Sequence, residues 1–300
     1  MRFDSDDVDV SRVSDRRGRR GAAVAAGGGG IGLVGLLVVV LLQVLGGGSG
    51  VAVDPSLLGP AVDGAAGQEP GEDTAALEQR CNTDGALERY TDCRLIKVVN
   101  IADDVWSAEY GERGLDYRPP TLAFFSGSTV TGGCGPASAE VGPFYCPADE
   151  TIYFELDFLQ VLQDRFGAEG QFAQAYIAAH EFGHHLQAVD GTMDEVRRAQ
   201  QADPASANDE AIALELQADC YAGVWSTLAD DAEGEGIVLT REDVAQALAA
   251  AEAVGDDRIQ EATTGQVNPE TWTHGSSEQR REWFERGLDS GDPARCDTFA

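Results

Sequence analysis

Between residues 171 and 189 the apolar side chains return every three or four positions: Phe172, Ala175, Tyr176, Ala179, Phe182, Leu186 and Val189. That spacing puts one buried stripe along an α-helix. The same rhythm predicts helices over 94–111, 208–229, 241–255 and 276–291, with Leu214, Tyr221, Trp225 and Leu228 as the core face of the second. Ser206 or Asn208 caps that second helix after Pro204, and a Ser-x-Glu start and a glycine stop bound the last. Two stretches have another pattern. TLAFFSG (121–127) and TIYFEL (151–156) are aromatic and β-branched and are bounded by Gly and Pro, so they predict strands. The loop-rich connection between them holds one extended piece around Phe144 and Tyr145. A short helical link joins strand 151–156 to the 171–189 helix, and that strand is expected at the sheet edge, free to pair with an extended peptide. Many helices and few strands in one block predict an α+β domain.

The N-terminal quarter patterns differently. Residues 1–20 are highly charged and end in DRRGRR, whereas no residue from Gly21 to Val53 is charged and 31–45 is strongly apolar. This run reaches the ~20 residues a membrane-spanning helix needs. Arg16, Arg17, Arg19 and Arg20 precede it, so the positive-inside rule keeps the N-terminus in the cytoplasm and exports the chain beyond the run. A cleaved signal peptide is the alternative, but no small-x-small site succeeds the apolar core, and a twin-arginine signal lacks its usual flanks. The expected organisation is a cytoplasmic tail (1–20), a transmembrane anchor (21–50), a flexible linker (51–78) and a domain at 79–300.

Composition narrows the partners. With 21 basic against 52 acidic residues, the net charge of −31 excludes the basic patch that nucleic-acid binding requires. The acidic excess reads as a solvated surface, and oligomeric state is not set by any of this. All six cysteines, Cys81, Cys93, Cys134, Cys146, Cys220 and Cys296, lie beyond the apolar run, where an oxidising compartment favours disulfides. Fifteen pairings are open in principle. Short loops favour Cys81 with Cys93 and Cys134 with Cys146, which leaves Cys220 for Cys296. No C-x-x-C pair offers a cysteine-zinc site.

Three of the four histidines, His180, His184 and His185, fall on the 171–189 helix. His180 and His184 are four apart and share a face, so two imidazoles can hold one divalent metal. Glu181 lies round the helix from them, placed to act on a water without being a ligand: the H-E-x-x-H arrangement. The plain alternative is a set of hydrogen-bonded core histidines. A catalytic zinc needs a third protein ligand. Glu215 supplies it from ELQADCYAG, and Asp219, one turn on, is placed to bond the free nitrogen of a ligand histidine. Two surface acids are the alternative reading. Ala218, Ala222 and Gly223 beside them, and Gly183 in the motif, would let the two helices approach closely. A di-iron site would need a second Glu-x-x-His, which is absent from the sequence. His274, in a loop before a helix, is the candidate oxyanion donor or substrate contact, with helix capping as its alternative. Tyr153 and His185 are less favoured.

The motifs HEFGHH, ELQADCYAGVW, GDDRIQ, THGSSEQRREWF and the terminal CDTF resemble the bacterial neutral zinc metallopeptidase family over about residues 80–300. The resemblance implies a zincin-like active-site helix beside a small sheet, one N-terminal membrane helix, and a peptide or protein substrate. It also implies one zinc per chain on His180, His184 and Glu215, with Glu181 as base. The expected activity is that of an outward-facing zinc peptidase. A catalytically weak zincin-fold scaffold and a zinc amidase acting on cell-wall peptides are the competing classes, and the intact Glu181 speaks against the scaffold.

Overall fold

A computed structural model describes residues 1–17, 73–232, 234 and 236–300. Its strands are β1 (Arg2–Phe3), β2 (Val13–Asp15), β3 (Thr121–Phe125), β4 (Ser128–Val130), β5 (Pro136–Ser138), β6 (Phe144–Cys146), β7 (Thr151–Glu155) and β8 (Ile237–Val238). Its helices are α1 (Thr74–Cys81), α2 (Ala86–Arg89), α3 (Thr91–Arg113), α4 (Leu156–Phe166), α5 (Gln171–Val189), α6 (Thr192–Ala202), α7 (Ala207–Asp231), α8 (Arg241–Ala253), α9 (Asp256–Thr264) and α10 (Ser277–Ser290). The fold is therefore mostly helical with small sheets, as the α+β expectation has it. Each periodic segment is helical within a few residues of its expected bounds. One cap differs: Ser276 opens α10 in a reciprocal capping box with Gln279, not Glu278.

α7 is the centre of the helical layer. It packs most extensively on α10 and then on α5. The contacts are close because small residues meet there. A Cβ on Gly183 of α5 would sit 3.0 Å from the Ala218 Cα of α7, and one on Gly287 of α10 would strike the Cys220 carbonyl. Trp225 stacks on Phe172 at 6.2 Å, and Tyr176 meets Phe284 edge-on at 5.4 Å, so the aromatic core ties α5, α7 and α10 together. Three disulfides close: Cys81–Cys93, Cys134–Cys146 and Cys220–Cys296.

The main sheet has the order β2-β3-β7-β6, with β6 antiparallel to β7. β7 pairs with β3 on one side and β6 on the other, so strand 151–156 is not an edge, and the expectation that it receives a peptide is corrected. The extended piece at Phe144 and Tyr145 claims that edge because its aromatics bury well there: Phe144 stacks on Tyr153 at 4.8 Å.

The N-terminal expectation also changes. Residues 1–17 are not a tail outside the domain. β2 lies parallel to β3, β1 pairs with β8, and Val8 and Val10 are buried in the main core. Two valines set among aspartates outside any strand are too few to register against the surrounding charge. On the far side α1 already starts ahead of residue 79, with Asp73 capping it through a bond from the Ala76 amide. The expected anchor at 21–50 and the linker up to residue 72 lie outside the described residues. Among the described residues no helix is long and apolar enough to cross a membrane.

Candidate metal centre

α5 and α7 build the centre by crossing at Gly183 and Ala218. One ring nitrogen of His180, one of His184 and one carboxylate oxygen of Glu215 lie within 4.8 Å of one another, and all three residues are buried. His180 Nε2 is 3.3 Å from Glu215 Oε2, and His184 Nε2 is 3.4 Å from Oε1. No other group of His, Cys, Asp and Glu among the described residues is arranged to hold a metal in this way.

The partners of the other ring nitrogens fix the tautomers. His180 Nδ1 donates to Asp219 Oδ1 at 2.8 Å. His184 Nδ1 donates to Gln187 Oε1 at 2.8 Å, since the Gln187 amide nitrogen is itself spent on the Leu214 carbonyl at 2.7 Å. With both Nδ1 atoms protonated, two Nε2 lone pairs and a carboxylate converge as acceptors on acceptors. Such a set is repulsive until a cation or a proton enters it, which is the donor chemistry of a zinc site. The residues fit that ion.

Charge is balanced around the same point. Burial alone would push Glu215 up, but His184, His274 and His180 outweigh it and hold its carboxyl well below the usual range. Burial would likewise lower His180, yet Asp219 and Glu215 bring it up to about 9. Glu181 differs. Burial pushes its carboxyl up, only partly countered by His184 and His180. Its carboxylate makes no hydrogen bond to a described residue, and a carboxylate so placed is a ready proton acceptor.

Three further groups enter that sequence reasoning had not assigned. Arg280 of α10, buried, donates to Asp219 Oδ2 at 2.8 Å and Oδ1 at 3.0 Å, while Tyr176 donates to Oδ1 at 2.5 Å. The guanidinium also sits 3.3 and 3.4 Å from the two nitrogens of the His180 ring. Asp256 is the third. It accepts from the Thr273 and His274 amides, both at 2.7 Å, and lies 3.3 Å from His274 Nδ1. His274 therefore does more than precede a helix: its Nδ1 is seated between Thr273 Oγ1 at 3.0 Å and Asp256, and its Nε2 bonds to none of the described residues. Burial would lower it, but Glu215 and Asp256 outweigh that and raise it. The first arginine of RREWF and the first aspartate of GDDRIQ were the available signals, but each acquires a role only from a partner 61 or 18 residues away.

Two less favoured candidates are committed elsewhere. His185 is fully buried, donating from Nε2 to the Arg118 carbonyl at 2.7 Å and accepting at Nδ1 from Tyr145 at 3.1 Å. It ties β6 to α5. Tyr153 donates to Asp149 at 2.7 Å and receives Arg16 at 3.2 Å.

Comparison with known proteins places this geometry in context. The family model described as Putative neutral zinc metallopeptidase matches residues 1–299. An uncharacterized protein of Mycobacterium tuberculosis is 48% identical over 228 residues, covering 74% of this chain and 75% of the relative. An uncharacterized protein of Mycobacterium bovis matches to the same extent. The Escherichia coli uncharacterized protein YpfJ is 45% identical over 203 residues, 67% of this chain and 69% of its own. No solved structure matches. The chain belongs to this zinc metallopeptidase family.

Proposed function

With that membership as the premise, we propose that the chain is a zinc-dependent peptidase that hydrolyses peptide bonds with Glu181 as general base. His180, His184 and Glu215 hold the ion. The observation that carries the reading is the convergence of two tautomer-fixed Nε2 atoms and the Glu215 carboxylate beside a Glu181 carboxylate that bonds to no described residue. Bound zinc supplies a water of lowered pKa and polarises a carbonyl oxygen. The remaining work falls to the chain. Asp219, held by Arg280 and Tyr176, orients His180, and Gln187 orients His184. Glu181 accepts the proton of the attacking water and returns it to the leaving amine. His274, steadied through Nδ1 by Asp256, offers Nε2–H to the oxyanion of the tetrahedral intermediate. The three disulfides support an extracytoplasmic setting for a peptide or protein substrate.

The test is cleavage of a peptide library, including amide-linked cell-wall peptides, by the full zinc-loaded chain and by Glu181→Gln. The variant should keep one zinc and lose activity by about 10²-fold or more. Equal cleavage by both would end the peptidase reading; cleavage confined to cell-wall amides would move it to an amidase.

A further inference from the structure

The N-terminal segment is built into the domain at every few residues. Val8 exchanges bonds with the Asn82 side chain at 2.8 and 3.1 Å, and Asp9 does the same with Asn100 at 2.9 and 3.1 Å. Lys97, the only lysine in the sequence, is buried and donates to the Asp7 carbonyl at 2.9 Å. β2 then extends the main sheet, with Arg16 N bonded to the Phe124 carbonyl at 2.8 Å.

The next two arginines are spent on the same body. Arg16 reaches the Val130 carbonyl and the Tyr153 hydroxyl, both at 3.2 Å, and lies over the Tyr153 ring. Arg17 pairs with Asp15 and places Nη2 2.7 Å from Asp92 Oδ2. Arg80, in the first helix after residue 72, reaches the same Asp92 oxygen at 2.7 Å. Asp92 is buried, so one carboxylate clamps both flanks of residues 18–72. A single membrane crossing within the uncharged run Gly21–Val53 would separate those flanks by ~30 Å of hydrocarbon. Arg17 and Arg80, sharing one carboxylate, stand side by side instead. Two of the four arginines that would anchor the N-terminus in the cytoplasm are also no longer free to do so.

We infer that residues 1–17 are a structural strap of the domain and lie on the same extracytoplasmic side as it, not across a membrane from it. The Cys81–Cys93 disulfide fixes the side, because it sits in the same corner, with Arg80 Nη1 3.5 Å from Cys93 Sγ.

The test uses the full chain in intact cells. Asp6→Cys on the strap and Gln201→Cys on α6, both exposed positions, are each treated with a membrane-impermeant maleimide before and after permeabilisation. Labelling of both in intact cells is expected. Labelling of Asp6→Cys only after permeabilisation overturns the shared side, and silence of both until permeabilisation overturns the export. Hydrogen exchange on the purified full chain checks the docking without a cysteine. The Arg16 amide should be protected alongside those of β3, and exchange at the rate of an open chain would overturn the strap. Neither readout depends on zinc or turnover, so the strap and the peptidase reading fail separately.

Discussion

Asp219 receives donors from three side chains, and the imidazole of His180 is only one of them. Arg280 has two opposed effects on a cation bound nearby. Its charge repels the ion, while its grip on Asp219 keeps Nε2 of His180 aimed inward. If positioning dominates, Arg280→Met weakens zinc binding by about 10- to 100-fold, the range for loss of such an outer partner. Tighter binding would mean that charge dominates, and a competitive chelator titration reads the sign. The zinc-free centre also makes a pH-dependent contribution. His180 is brought up to about 9, above the ~6.5 of a free imidazole. A raised folded-state value means that protonation favours the fold. The contribution is complete below about pH 6.5 and lost as pH rises through about 9. The Tm of zinc-free protein should fall across that window, His274 shifting the same way, while zinc on His180 removes its share. A flat Tm in zinc-free protein would contradict this. His180, Glu181 and His184 were legible because helical spacing alone sets them on adjoining turns, and Glu215 because it shares a face with Asp219 beside small residues on a second helix. Arg280 and Asp256 were not, since their partners are 61 and 18 residues away and spacing cannot report that.

At the scale of elements, the centre is as exact as the crossing of α5, α7 and α10. Helix propensity would favour replacing Gly287 with alanine by about 1 kcal/mol. The added Cβ, however, would strike the Cys220 carbonyl, which is helix backbone and has no rotamer to change. Overpacking of this kind costs about 1–3 kcal/mol and should win. Denaturant unfolding of Gly287→Ala should therefore show a net loss of stability, and a gain would put the α7–α10 contact in doubt. The stripe on 171–189 and the small residues of ADCYAG announced the α5–α7 crossing in the sequence, but not that α10 packs against Gly223 on the same helix. Register within the sheet was less legible. TIYFEL reads as a strand on any sheet position, and only the burial of Phe144 against Tyr153 decides that another strand takes its outer side.

For the whole molecule, the three cross-links differ in what they close. Cys220–Cys296 spans 76 residues and pins the C-terminal tail to the helix that carries Glu215, whereas Cys134–Cys146 spans 12. Chain entropy assigns about 4.5 kcal/mol to the long loop and about 1.6 kcal/mol less to the short one. The paired-serine variant of Cys220 and Cys296 should thus lose more Tm than that of Cys134 and Cys146, and should alone weaken zinc binding. Equal losses would contradict the entropic ranking. Local loop length favoured these pairings in the sequence without choosing among the fifteen, and the structure closes the favoured set. The docking of residues 1–17 was hidden because Val8, Val10 and Val13 are too few to stand out among aspartates and arginines. The centre itself is tested most directly by anomalous scattering at the zinc edge from crystals of the zinc-loaded chain. One peak is expected about 2.0–2.2 Å from His180 Nε2, His184 Nε2 and a Glu215 oxygen together. A peak that leaves out Glu215, or no peak between these three side chains, would contradict the account.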